Sequence, residues 1–230
     1  MLGSLFDLIY PRKCIVCKRI VKNDILCYDC REEYEKEIND GCLSCGNPHN
    51  KCRCDSLYLE NERIIYALPY KSDGVSREML LKIKTSKYKP LISHLTDKMA
   101  EALRENGVEG DYLITYVPRS PGRIRIEGVD QAKNLAYALA DKTKLKIKNL
   151  FICRGGMKEQ KALEYRDRDV HARSRFFLRI GAEDIIKDKK IILVDDIITS
   201  GATVKICSEL LLECGAADVI CLGAGRSVKY

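Results

Sequence analysis

Asp195 and Asp196 are adjacent carboxylates. After Ile197 and Ile198 comes a run of small, mostly hydroxyl-bearing residues, Thr199, Ser200, Gly201, Ala202 and Thr203. Four apolar residues, Ile191 to Val194, precede the acids, with Lys189 and Lys190 before them. So short an apolar run predicts a strand buried on both faces, as in a parallel sheet. The acids then sit at the strand's carboxyl end, where open α/β sheets bind ligands. From Val204 the apolar positions Val204, Ile206, Cys207, Leu210, Leu211 and Cys214 follow a helical pattern that closes at Gly215. The turn therefore delivers free N–H groups and a helix dipole, an anion site suited to phosphate. Gly201 lets the backbone come close to a ligand. Paired carboxylates repel phosphate, so they should face a sugar diol or hold Mg²⁺. Phosphate and diol side by side describe a ribose 5-phosphate.

Two competing readings are weaker. A Walker-B-type strand needs a G-x-x-x-x-G-K-[ST] loop upstream, and the chain has none. A plain surface turn does not explain why acids, threonines and glycine fall in register behind an apolar strand. The stretch resembles the phosphoribosyltransferase signature. That resemblance implies that Asp195 and Asp196 grip the ribose 2′- and 3′-hydroxyls of phosphoribosyl pyrophosphate, while Thr199 to Thr203 hold its 5′-phosphate. Purine-salvage relatives carry a base-contacting Asp three positions after the second acid. Here Thr199 stands there, which disfavours ordinary hypoxanthine or guanine salvage.

Cysteines supply the second chemistry. Cys14-x2-Cys17 and Cys27-x2-Cys30 are two knuckles nine residues apart, a spacing that fits one tetrahedral Zn²⁺. Cys42-x2-Cys45 and Cys52-x-Cys54 form a second set, the last pair one residue short of a knuckle. A second Zn²⁺ is expected there. Its ligand set stays open, because His49 lies between the pairs, although beside Pro48 it reads better as an exposed loop residue. Pairing across the two sets is equally compatible with the spacing. So small a unit lacks core of its own, so metal should supply its folding energy. Chelation is expected to unfold residues 1–57 and leave the remainder folded. Cys153, Cys207, Cys214 and Cys221 lie at apolar positions and read as buried, inert thiols.

Size and charge bound the rest. At 230 residues the chain holds one ordinary domain and a small appendage. In residues 1–60, 9 Lys+Arg stand against 10 Asp+Glu; in the rest, 31 stand against 23. The basic excess therefore belongs to the part with the phosphate loop, and it suits a polyanionic small molecule or nucleic acid as well as plain solubility. No stretch is long and apolar enough for a membrane span, and Met1 to Ile9 has no basic n-region. The expectation is a cytoplasmic protein, in which 12 cysteines mean metal ligands or free thiols.

Other elements must position these groups. Arg31 to Asp40 reads as a charged helix, Arg63 to Tyr70 as a strand, and Val75 to about Asn106 as two helices divided near Pro90. Lys82, Lys84, Lys87 and Lys89 read as a solvated basic face, and His94 as a packed helix residue. Asp111 to Val117 is a strand. PRSPGRIRIEG follows as an irregular loop, whose Pro118 and Arg119 are the expected pyrophosphate loop, with Arg123 and Arg125 beyond. A helix over Asp130 to Lys142 and strands at Leu150 to Cys153, Phe176 to Ile180 and Ala217 to Leu222 complete the alternation. The polar segment Arg154 to Arg175 reads as a lid.

Knuckles at the front and the acid pair near the end resemble the ComF family. Val117-Pro118, Gln131-Ala132 with Leu135-Ala136 and Leu139-Ala140, and Gln160, Leu163, Arg168 and Phe176 keep the spacing of its other motifs. The resemblance implies a parallel-sheet α/β type I phosphoribosyltransferase-like domain over 61–230 behind a double zinc ribbon over 1–60. It implies Mg²⁺-dependent transfer from phosphoribosyl pyrophosphate to an unknown acceptor, in natural competence and DNA uptake. The alternative is a non-enzymatic scaffold that binds the same ligand. Its zinc module would dock a helicase or other DNA-uptake protein; single-stranded DNA is the weaker partner, since few aromatics interleave the basic residues. Glu127 and Asp130 depart from the family's R-G-F-N-Q, and His171 replaces another asparagine. Two extra acids beside the pyrophosphate loop put turnover in question more than binding.

Overall fold

The structure is a computed structural model; it describes residues 11–22, 24–40, 63–70, 74–83, 88–154 and 175–227. The apolar run at 191–194 is fully buried and lies at the centre of the main sheet. It belongs to β6 (Lys190–Ile198), flanked by β2 (Tyr112–Tyr116) and β7 (Asp218–Ser227). With β1 (Arg63–Tyr70) and β3 (Lys146–Ile147), the sheet has the order β1-β7-β6-β2-β3. Every pairing is parallel.

Continuous apolar strands need cover on both faces. One face carries α1 (Tyr28–Asp40), α2 (Val75–Ile83), α3 (Lys89–Glu105) and α5 (Gln131–Thr143). The other carries α7 (Ala202–Glu213) and a separate antiparallel ribbon of β4 (Phe151–Cys153) and β5 (Phe176–Leu178). A single turn, α6 (Glu183–Ile186), leads into β6. The chain after β2 returns through α5 on the first face, and the chain after β6 returns through α7 on the second. The crevice between β2 and β6 is thus a topological switch point, where such sheets bind ligands.

Several elements differ from the sequence reading. β6 does not stop at Val194 but continues through both acids, paired to β7 as far as Ile198↔Arg226. Its pairing with β2 stops at Tyr116↔Val194, after which only the Val117 N–H reaches back to the Val194 carbonyl, at 2.9 Å. β4 and β5 lie outside the main sheet, because they exchange hydrogen bonds only with each other. PRSPGRIRIEG is not an irregular loop: Pro121–Glu127 forms α4. Ser120 caps its start, accepting from the Arg123 N–H, and Gly128 closes it at φ 69. Cys214 is only half-buried, at the C-cap of α7, whereas Cys153, Cys207 and Cys221 are buried. Among the described residues, no helix is long and apolar enough to cross a membrane.

The N-terminal knuckles do not stand apart from the sheet. Cys14, Ile15, Leu26, Cys30 and Tyr34 share one buried cluster with Leu80, Leu91 and Leu95. Glu37 of α1 is 6% exposed, and its two carboxylate oxygens accept from the Val75 and Ser76 N–H groups at 2.6 and 3.0 Å. Those are the first free amides of α2, so a side chain from the knuckle helix caps a helix of the α/β part. A Cβ at Gly74 would lie 2.5 Å from Glu37 Oε1, so any larger residue there would have to push this carboxylate aside.

Candidate functional site

Where β2 ends, β6 runs on unpaired along one edge and the crevice opens. The cleft is about 330 Å³, and its wall is made by Pro118, Arg119, Asp195, Asp196 and Thr199 to Thr203. Every residue named from the sequence for the acid pair, the phosphate loop and the pyrophosphate loop therefore lines one cavity. Its volume lies in the usual range for small-ligand sites.

The phosphate loop is built by α7. Gly201 adopts φ 77, a left-handed conformation that costs other residues more. This turn brings the start of α7, Ala202 to Val204, to the cleft wall. The Ala202 N–H is held by Ser200 Oγ at 3.4 Å, and the Gly201 carbonyl accepts from the Lys205 N–H. Thr199 and Ser200 are exposed and Thr203 half-buried, and all three line the cavity.

The acids are held by their own backbone. Asp195 Oδ1 accepts from the Asp196 N–H, and Asp196 Oδ1 from the Ile197 N–H, both at 2.8 Å. Asp196 is 6% exposed and its Oδ2 accepts from Arg119 Nη2 at 3.0 Å. Arg119 Nη1 donates to Glu127 at the end of α4. Burial, and then the charge of Asp196, push the Asp195 carboxyl well above its ordinary value. Asp130 caps α5 by accepting from the Lys133 N–H, which gives this acid a structural use. Burial raises its pKa as well.

Arg123, Ala132, Cys153, Arg175 and Phe176 complete the wall. The sequence marked Arg123 as basic, Phe176 by the family resemblance and Arg175 as the end of the lid segment; the structure brings all three to the cleft. Burial raises the Cys153 thiol above its usual pKa, as fits an unreactive cysteine. His94 packs against Tyr34, with Nε2 2.9 Å from the phenol oxygen, and burial lowers its pKa.

The first cysteine set is assembled. The sulfurs of Cys14, Cys17, Cys27 and Cys30 all lie within 4.8 Å of one another, with no disulfide among them. Tetrahedral zinc–thiolate bonds place sulfurs about 3.8 Å apart, so the set fits Zn²⁺. The Arg19 backbone N–H pulls the Cys17 thiol down to about 6, while burial pushes Cys30 up. The second set, Cys42, Cys45, Cys52 and Cys54 with His49, lies outside the described residues, as do the lid residues 155–174 and Lys84 and Lys87.

Because the knuckle helix caps α2, metal removal should not stay local. Chelation is expected to strip hydrogen-exchange protection from α1 and from Val75, Ser76 and the first turn of α2, while β2 and β6 keep theirs. Unchanged protection over 75–83 would show that the two parts are uncoupled.

Sheet order, the acid pair on the central strand and the hydroxyl loop together define a phosphoribosyltransferase-fold α/β protein with a zinc-ribbon module at its front. Comparisons agree with both parts. Residues 5–60 match the double zinc ribbon domain family, and residues 132–223 the phosphoribosyl transferase domain family. Competence protein ComFC of Streptococcus pneumoniae is 24% identical over 226 residues, 90% of this chain and 96% of that protein. ComFC of Bacillus subtilis is 24% identical over 211 residues, 84% and 80%. Both domain matches and both relatives support a ComF family protein, similar along most of its length to two competence proteins. Among solved structures, similarity extends to glutamine phosphoribosylpyrophosphate amidotransferase of B. subtilis, at 16% identity and TM-score 0.44 over 64% of this chain. The chain spans only 30% of that enzyme. It also extends to a hypoxanthine phosphoribosyltransferase of Staphylococcus aureus, at 15% identity and TM-score 0.36, covering 57% of this chain and 61% of that one.

Proposed function

We propose that the cleft binds phosphoribosyl pyrophosphate together with Mg²⁺ and transfers its phosphoribosyl group to an acceptor. The observation that carries this reading is the meeting of Asp195, Asp196 and Thr199 to Thr203 with Arg119 around one cavity. In this reading the Ala202 to Val204 amides and the loop hydroxyls take the 5′-phosphate. That distant anchoring orients the reacting carbon. Asp195 and Asp196 accept from the ribose hydroxyls and stabilise positive charge that develops at C1. Arg119 and the turn at Pro118 face the pyrophosphate leaving group. Bound Mg²⁺ supplies charge neutralisation of that leaving group.

Isothermal titration with phosphoribosyl pyrophosphate and Mg²⁺ tests the assignment, and absence of heat at millimolar ligand would sink it. The same titration has a pH signature. Asp195 holds its proton to a higher pH than an ordinary carboxylate. Binding that needs the carboxylate must then release a proton and weaken as pH falls through that raised value. An affinity flat down to the ordinary carboxylate range contradicts a direct role for Asp195.

A second reading, prompted by relatives named as competence proteins, is that the chain binds this ligand without turnover and docks a DNA-uptake protein through its zinc module. Release of pyrophosphate with a panel of acceptors separates the two. A zinc-knuckle variant that binds the ligand yet fails in transformation favours docking.

A further inference from the structure

Among the described residues Arg119 is the cation that pairs with Asp196, and both ends of its guanidinium are already taken. Nη2 donates to Asp196 at 3.0 Å and Nη1 to Glu127. The side chain is only 16% exposed, so water contributes little to its solvation. Asp130 and Asp195 also feel its charge. Arg119 thus pairs directly with Asp196 and Glu127 and acts at longer range on Asp130 and Asp195, and of these four acids Asp195 and Asp196 line the cleft.

The two partners are not equivalent. Asp196 lies on β6, fixed by the strand and by its bond to the Ile197 N–H. Glu127 is the last residue of α4, a two-turn helix that begins at the same loop as Arg119. Its side chain is about one-third exposed. A planar guanidinium binds carboxylate and phosphate oxygens through the same donor fork. An incoming pyrophosphate and the Glu127 carboxylate therefore compete for the same N–H groups.

We propose that Glu127 is a positioning residue for Arg119: from outside the cleft wall it holds a donor that pyrophosphate oxygens need, so that anion binding requires Arg119 to leave it. The inference rests on the phosphoribosyl pyrophosphate assignment of the cleft. Apparent affinity falls by the fraction of molecules in which Arg119 is free of Glu127. Glutamine keeps the size of Glu127 and removes its charge. It should leave Arg119 on Asp196 and turn Nη1 toward the cleft.

The test uses two partial ligands, inorganic pyrophosphate with Mg²⁺ and ribose 5-phosphate, titrated into the full chain. Glu127→Gln should tighten pyrophosphate binding by roughly tenfold, matching a free fraction of about one in ten. Ribose 5-phosphate, held by the phosphate loop and the acid pair, should change by less than about twofold, far below the tenfold shift that such a free fraction gives pyrophosphate. Glu127→Ala is the second variant, with the same expectation. Equal or weaker pyrophosphate binding in both variants, with ribose 5-phosphate still bound, overturns the role of Glu127 and leaves the cleft assignment standing. Failure of the unaltered protein to bind ribose 5-phosphate overturns the assignment itself.

Discussion

Replacing both acids, Asp195→Asn with Asp196→Asn, should abolish phosphoribosyl pyrophosphate binding while the protein stays folded. Each aspartate offers the ribose a charge-assisted acceptor, worth about 1.5–3 kcal/mol. Losing both costs roughly 3–6 kcal/mol, or about 10²- to 10⁴-fold in affinity. The fold should survive because asparagine preserves each backbone contact: Asp195 Oδ1 to the Asp196 N–H, and Asp196 Oδ1 to the Ile197 N–H. Arg119 would keep Glu127.

The single change Asp195→Asn should move stability the other way. The folded protein raises the Asp195 pKa through burial and the adjacent charge of Asp196. A folded pKa above the unfolded one means the native state binds the extra proton in the window between them. Stability therefore falls as pH rises through that window. Above the unfolded pKa this acid costs the folded state stability, as a disfavoured charge or as a proton taken up, and removing it should stabilise the unliganded protein by about 1 kcal/mol. Thermal melting at pH 7 checks this. A lowered melting temperature would mean that Asp195 is a structural acid, not one kept for a ligand. More stable without ligand and unable to bind it is the pattern of a functional carboxylate.

How much of this was legible depends on distance along the chain. The acid pair and the phosphate loop could be read because strand, acids, turn and helix are consecutive over Ile191 to Leu211. The continuation of β6 through the acids could not, since Asp is a poor strand former and only β7 on one side keeps it extended. The helix after Ser120 was readable in principle, because Ser120-Pro121 is a helix start and Gly128 a helix stop. Arg123 and Arg125 within it and Arg119 before it make the stretch read as a basic loop instead. β4 and β5 each span three residues, and nothing in three residues says whether a strand joins the main sheet. Contacts such as Arg119 with Asp196, 77 positions apart, are products of the fold alone. Arg175, read only as the end of a polar segment, reaches the cleft wall beside β5 by the same long-range route.

Glu37 is the clearest case of this long-range kind, and it yields the largest expected effect on stability. Within its helix it is one more acid in Glu32, Glu33, Glu35 and Glu37. Only the fold shows it buried, accepting from two amides that begin α2 38 and 39 positions away. Glu37→Ala leaves both donors buried without their acceptor and removes a negative charge from a helix N-terminus. The expected loss is about 2–4 kcal/mol, and for a chain of this size a fall in melting temperature of roughly 4–16 °C. Glu35→Ala, exposed on the same helix, should stay within about 0.5 kcal/mol. Leu80 of α2 presses on β7, where a Cβ at Gly225 would come within 2.3 Å of its Cδ1. Loosening α2 should therefore also loosen β7, the strand that alone supports the acid-bearing end of β6. Ligand affinity in Glu37→Ala should fall even though Glu37 is not in the cleft wall. Equal effects of Glu35→Ala and Glu37→Ala on melting would remove the cap from the account, and unchanged affinity in a destabilised Glu37→Ala protein would separate α2 from the site.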